Sequence, residues 1–193
     1  MFTRLKKHMQ ERVNITEEEF TLAKTYFVSK KIRKRQYLLQ ERDVCKSLAF
    51  VSNGALRCYS TNDKAEEHII QFALEGWWIS DLQSFLTGNP AANNIDAIED
   101  SELLLIEKKS YEILCNTIPR CEQYFRILLE KTNSASLRRI SDLIGTLAED
   151  RYLKFIDTYP EIVQRIPQNQ IASYLGITPQ SLSRIRKELS IKR

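Results

Sequence analysis

Histidine is scarce in this chain, which holds only His8 and His68. A metal centre or a proton-shuttling active site built on imidazole has almost nothing to draw on. No metal, no cofactor and no enzymatic activity are therefore expected. Cysteine is sparse and badly spaced for chemistry. Cys45, Cys58, Cys115 and Cys121 include no pair with the two-residue gap of zinc or dithiol motifs. The opening MFTRLKKHMQERVNI lacks the apolar stretch of a secretory signal. The thiols are expected to be reduced in a cytoplasmic protein. No run approaches the ~18 apolar residues of a membrane span, so no membrane partner is expected. Glycine and proline stand at only 5 each, without repeats or biased tracts, which argues against disorder.

What is present supports a folded protein. The 193 residues are 42% hydrophobic and 28% charged, enough for a core and for solubility in one large or two small domains. The net charge of +4 is not spread evenly. From Pro160 onward six basic residues (Arg165, Arg184, Arg186, Lys187, Lys192, Arg193) face two acids (Glu161, Glu188), while the first 159 residues balance. A neutral body with a basic C-terminal tip is the electrostatic footprint of a nucleic-acid reader.

That tip carries the clearest local pattern. In IPQNQIASYLGITPQSLSRIRKELSIKR, apolar residues stand at Ile171, Leu175, Ile177, Leu182, Ile185 and Leu189, with Ala172 small enough for a close crossing. Gly176 is placed to leave a helix in the left-handed conformation. Thr178 is placed to cap the next helix, and Pro179 fills its first position. The spacing predicts a helix-turn-helix, with helices over about 168–175 and 179–189. Gln180 and Arg184, four apart, share a face near the start of the second helix, the part that enters the major groove of DNA. Arg suits guanine and Gln suits adenine, and Ser181 and Ser183 can reach phosphates. The candidate DNA contacts are Gln168, Asn169, Thr178, Gln180, Ser181, Ser183, Arg184, Arg186 and Lys187.

The rest of the chain reads in three stretches. Residues 3–31 look helical, with Thr16, Glu18 and Glu19 at a helix start and Phe20, Ala23 and Phe27 on one face. The basic run Lys30, Lys31, Arg33, Lys34, Arg35 reads as a solvated face rather than a nucleic-acid site. From Gln36 to about Ile106 short strands and turns predict a small barrel or jelly roll. Leu48, Phe50, Leu56 and Cys58 alternate about Asn53–Gly54, a type I′ hairpin signal. Further strands are expected over 67–73 and, broken at Glu99–Asp100, over 94–106. A long helix is then predicted from Pro119 to Gly145, about 40 Å at ~1.5 Å per residue. It bears one apolar seam through Phe125 and Leu128 and a second through Leu137, Ile140 and Ile144. One small barrel cannot cover both, so a second copy of the chain is the expected partner, with Phe125, Leu128, Leu137, Ile140 and Ile144 at the contact. Gly145 is a candidate hinge, and helix is expected again over 148–158.

This order of parts resembles the Crp/Fnr family of bacterial transcription regulators, most closely in IPQNQIASYLGITPQSLSRIRKEL. The resemblance implies an α+β protein: a cyclic-nucleotide-binding-like barrel with N-terminal helices (1–118), a dimerisation helix and hinge (119–147) and a helix-turn-helix domain (148–193). It implies a homodimer on a palindromic operator of double-stranded DNA, with recognition helices ~34 Å apart, and RNA polymerase as a further partner. In the family a base-reading residue opens the recognition helix. Here that position is Pro179, which has no donor, so an altered operator is expected. With the chain ending at Arg193, four residues past Leu189, the family's C-terminal β wing is expected to be missing, with Lys192 and Arg193 replacing its phosphate contacts.

The family's phosphate-binding cassette opens on a Gly-Glu pair and closes on an Arg-Ser/Thr pair. Those positions fall on Ser80–Asp81 and near Asn93–Asn94, and no arginine lies between Arg57 and Arg120. The candidate ligand residues are Trp78, Ser80, Asp81, Asn93 and Asn94, and tight cyclic AMP binding is not expected. An unknown small-molecule effector is the alternative, acting on the head through the hinge near Gly145. No N-terminal cysteines match the iron–sulfur branch, and His68 alone does not match the haem branch. Two competing readings remain: a ligand sensor whose helix-turn-helix meets protein, and a cupin-like metalloenzyme with a helical tail.

Overall fold

The computed structural model describes residues 1–191. Two helices open the chain, α1 (Phe2–Gln10) and α2 (Glu17–Lys24). Thr16 starts α2 through a capping box: its hydroxyl accepts from the Glu19 N–H, and the Glu19 carboxylate accepts from the Thr16 N–H. Helix does not continue to residue 31. Residues 28–32 form strand β1 (Val28–Ile32), whose partner lies more than 60 residues away in the chain. The local run of lysines carries no trace of that pairing. Phe27 still enters the same core as Phe20 and Ala23.

The strands that follow are β2 (Tyr37–Leu39), β3 (Ser47–Asn53), β4 (Leu56–Thr61), β5 (Glu67–Ala73) and β6 (Trp78–Ile79). After the short helix α3 (Leu82–Thr87) come β7 (Asn94–Ala97) and β8 (Ser101–Glu107). All recorded pairings are antiparallel and build two sheets, β1-β8-β3-β6 and β2-β7-β4-β5. Ala49, Val51 and Leu103 from one sheet meet Leu56, Cys58 and Ile95 from the other. The outer face of β3 and β8 is also covered, with Phe50, Leu104 and Ile106 packed against α1, α2 and the helices after β8. Burial on both faces explains why these strands read as continuous apolar runs, LAFV and LLLI, rather than as strict alternation.

The Asn53–Gly54 hairpin does not form. β3 and β4 lie in different sheets, and Gly54 is the corner where the chain crosses between them. Its φ is +94°, and a Cβ there would lie 2.2 Å from Ser101 Oγ and 2.6 Å from the Asp100 carbonyl oxygen. The glycine serves close approach as well as backbone sign. The true hairpin turn is Asn62–Ala65, between β4 and β5.

Helices complete the chain: α4 (Lys108–Thr117), α5 (Pro119–Gly145), α6 (Ala148–Thr158), α7 (Pro160–Arg165), α8 (Gln168–Tyr174) and α9 (Pro179–Ile191). The two halves of α5 differ. Cys121, Tyr124 and Phe125 are buried in the chain's own core. Leu137, Ile140 and Ile144 are 59%, 53% and 84% exposed, and Leu147 just beyond is 76% exposed. Phe125, expected at a contact between copies, packs on Trp78, Tyr111 and Tyr124 instead and has no surface to offer. Leu128 is partly buried on the same core.

The terminal helices share one core with the barrel. Ile171, Ala172, Leu175, Leu182 and Ile185 join Tyr59, Ile69, Phe72 and Leu74 of the β4–β5 face. The edge strand β5 is covered by α8: Ser173 Oγ accepts from the Ile69 N–H and donates to the Glu67 carbonyl oxygen, both at 3.0 Å. Covering an unpaired edge in this way removes a template for unwanted strand pairing.

Candidate nucleic-acid interface and sensor cavity

The turn between α8 and α9 is built as its residues dictate. The Ile177 N–H reaches the Ala172 carbonyl (3.0 Å), and the Gly176 N–H reaches that of Ser173 (3.1 Å), with Gly176 at φ +67°. This is a Schellman ending. Thr178 Oγ1 then accepts from the Ser181 N–H at 3.1 Å, capping α9, and Pro179 follows as its first residue. A Cβ on Gly176 would lie 2.9 Å from Leu143 Cδ2, so the turn is seated closely on α5.

Leu182 and Ile185 fix which face of α9 is inward, being 1% and 5% exposed. Gln180, Ser183, Arg184, Arg186 and Lys187 point the other way and are exposed. Ser181 is half-buried, and its hydroxyl bonds Thr178. Arg184 Nε lies 4.0 Å from Glu188 Oε1, and both side chains are well exposed, so the contact holds neither in place. Asn169 is exposed at the start of α8, beside a half-buried Gln168 whose Oε1 has no partner. Lys192 and Arg193, expected to meet phosphates, lie outside the described residues.

Arg165 belongs to the basic tip in sequence, but it faces the barrel. It forms paired bonds of 2.7 and 3.0 Å to the Glu75 carboxylate and of 3.0 and 2.7 Å to that of Glu99. Burial opposes the charge on Glu75, yet Arg165 and the Gly54 N–H hold its carboxyl below the usual carboxylate range. Arg139 of α5 is a second tie. Its guanidinium donates to the carbonyls of Ile70 (2.6 Å), Ile69 (2.9 Å) and Tyr174 (2.9 Å) and stacks 4.0 Å over the Tyr174 ring. At the elbow after Gly145, Lys154 pairs with Asp142 at 2.7 Å, and Arg151 bonds the carbonyls of Thr146 and Leu175. Nothing in the sequence marked these ties, whose partners stand up to 90 residues apart.

The cassette positions come together, but on each other. Asp81 is 5% exposed. One of its oxygens accepts from the Ser84 N–H (3.0 Å), capping α3, and the other accepts from Asn93 Nδ2 (2.8 Å). Asn94 Oδ1 accepts from the Glu41 N–H at 3.0 Å. Arg57, the nearest arginine before the cassette, is held by Asp96 at 2.8 and 3.0 Å and by Glu67, and lies over Tyr59. Trp78 Nε1 donates to the Tyr124 hydroxyl (2.9 Å). Trp78 and Ser80 line a cavity of about 110 Å³ between the barrel and α5, closed by Phe125, Leu128 and Thr132. A pocket for a small organic ligand is usually about 300–1,000 Å³. His68 is exposed on β5, while His8 is half-buried against Tyr124 on the far side of the core. Among the described residues no three His, Cys, Asp or Glu side chains are grouped to hold a metal. No helix among them is long and apolar enough to cross a membrane.

Residues 29–117 match the family model described as the cyclic nucleotide-binding domain. No curated protein matches the chain. Among solved structures, the c-di-GMP responsive global regulator CLP of Xanthomonas campestris aligns over 92% of this chain and 93% of its own, with TM-score 0.74 and 15% identity. FixK2 from Bradyrhizobium japonicum aligns over 86% and 85%, with TM-score 0.74 and 18% identity. A regulator assigned to the Crp/Fnr family from Eubacterium rectale aligns over 93% and 85%, with TM-score 0.68 and 16% identity. The fold is that of the Crp/Fnr regulators. Within this Crp/Fnr fold, the cyclic nucleotide-binding domain runs from β1 to the end of α4.

Proposed function

We propose that this chain is a DNA-binding transcription regulator that reads a two-fold-symmetric operator as a homodimer. The observation that carries the reading is the outward face of α9. Gln180, Ser183 and Arg184 stand exposed on its first turns while Leu182 and Ile185 anchor the opposite side. A helix so anchored presents donors to base edges without losing core contacts. Asn169, Arg186 and Lys187 then suit phosphates. The distal half of α5 supports a dimer, because Leu137, Ile140 and Ile144, with Leu147 just beyond, form an exposed apolar seam separate from the buried face of the proximal half.

The working division has three parts, a barrel with N-terminal helices (1–118), a dimer helix (119–147) and a reading head (148–193), pivoting at the elbow after Gly145. The sensor part acts without cyclic AMP. Asp81 and Asn93 already satisfy each other, no cassette arginine stands ready for a phosphate, and the cavity against α5 is too small for a nucleotide. CLP is described as responding to c-di-GMP, so the fold tolerates a change of effector. RNA polymerase is the expected partner once the dimer sits on DNA. The cupin-like alternative has no support, since the two histidines lie on separate elements and do not converge.

Selection of bound sequences from random duplex DNA tests the reading. Enrichment of a palindrome with half-sites one helical turn apart, ~34 Å, is the expected result. Failure to enrich any symmetric sequence, together with binding insensitive to salt, overturns it.

A further inference from the structure

A larger cavity, about 390 Å³, opens in the barrel. Its floor is Leu39, Ile79 and Ile95, all buried and drawn from both sheets, so it reaches between the layers. At about 30 Å³ per water-sized group it has room for roughly a dozen non-hydrogen atoms. None of its lining residues lies on α5, and it shares only Ile79 and Ser80 with the smaller cavity. Strand β6 is thus the common wall.

The chemistry of this cavity is divided. Below, the surface is aliphatic. At the rim stand Lys30 and Lys46, neither with a side-chain hydrogen bond or ion pair among the described residues. Some other lysines of the fold are engaged, Lys31 with Glu102, Lys108 with the Leu86 carbonyl and Lys154 with Asp142, so free ammonium groups at this rim are not forced by a lack of acceptors in the fold. Ser47 and Ser80 also line the cavity, and neither side-chain hydroxyl has a hydrogen-bond partner among the described residues. The one acid at the rim, Asp43, pairs with neither lysine.

We propose that this cavity binds a small amphipathic monoanion, an organic acid whose carboxylate sits between Lys30 and Lys46 and whose aliphatic body lies on Leu39, Ile79 and Ile95. A neutral apolar molecule gains nothing from the two exposed ammonium groups, and a multiply charged head meets stronger repulsion from Asp43 than a single carboxylate does. The hydroxyls of Ser47 and Ser80 supply the remaining donors. This assigns a ligand class to the sensor half, and it does not rest on the DNA reading.

The test is calorimetric titration of the purified chain, without DNA, using hexanoate and octanoate with hexanamide and octanamide as uncharged controls. Saturable one-to-one binding of an acid is expected, with the matching amide about ten- to hundredfold weaker. Lys30→Met combined with Lys46→Met should lower acid affinity to that of the amide. Asp43→Asn, at an exposed position, should raise it severalfold, so the proposal stays testable even if the double variant folds poorly. No saturable binding of either acid at millimolar concentration overturns the proposal. So does equal binding of acid and amide, or acid affinity unmoved in all the variants.

Discussion

Asp81 and Gln180 stand near the starts of two helices, and the fold treats them in opposite ways. At α9, Thr178 serves as the cap, so the polar residues after it are left to solvent. At α3, the residue that the ligand reading singled out is itself the cap, and its second oxygen is taken by Asn93. Both helices are equally well started. What differs is whether a separate residue does the capping. A polar side chain that closes a local hydrogen-bond deficit is no longer available to a partner, whatever its position in a family pattern implies.

Substitution separates the two sites most sharply at α9. Gln180→Ala and Arg184→Ala should each weaken operator binding by about 1–3 kcal/mol and relax preference at one base pair, with the double variant weakest of all. Thermal stability should barely change, because neither side chain carries core contacts. Competition binding with single-base operator variants, beside a melting curve, checks both halves. A large loss of melting temperature in these variants would break the contrast.

Asp81→Ala should do the reverse. Losing the cap and stranding Asn93 at a half-buried site should cost about 1–3 kcal/mol of folding stability. Operator affinity of the remaining folded protein should hold, and cyclic AMP should not raise the melting temperature of either wild type or variant. If cyclic AMP stabilises the wild-type chain, Asp81 is less firmly engaged than its two hydrogen bonds indicate.

The same contrast explains what the sequence disclosed. The helix-turn-helix was legible because its signals are local: Gly176, Thr178 and Pro179 each act within four residues. So was the long α5, through its apolar spacing. The Asn53–Gly54 hairpin misled because its signal is local while the outcome is not. β3 takes β8 and β6 as neighbours, and Gly54 answers to Asp100 and Ser101. β1 was hidden by its lysines and is defined by pairing with β8. Among the candidate ligand residues, identity alone could not show that Asp81 and Asn93 would satisfy each other. Arg165 could be counted as a charge, but not placed against Glu75 and Glu99.

That junction tests a third case, a cation counted in sequence with the exposed arginines of α9 but engaged like Asp81. Arg165→Ala should destabilise the chain by about 1–2 kcal/mol, a figure held down by the partial exposure of Arg165 and Glu99. It should also loosen the reading head, seen as faster amide exchange along α7 and α8 and the β5 edge. Direct contact with DNA is not its role, so the salt slope of operator binding should be unchanged.

The smallest effect belongs to His8. Trp78 Nε1–H can only donate, so the Tyr124 oxygen accepts from it and directs its own hydrogen to His8 Nδ1, 2.6 Å away. That geometry requires a neutral imidazole. Burial, then the charges of Arg12 and Lys131, lowers its pKa to about 4. The unfolded chain takes up this proton near pH 6.5, before the folded chain does. The contribution is therefore constant above about pH 6.5, falls as pH drops toward 4, and levels off below. Discounted for the exposed part of the ring, the loss should be about 1 kcal/mol. Denaturant unfolding at pH 7 and at about pH 4.5, for wild type and His8→Gln, isolates it from the carboxylates that titrate in both. The wild type should lose more stability than the variant across that interval. Parallel losses would mean that His8 is solvated and that the Tyr124 hydrogen bond does not select its neutral form.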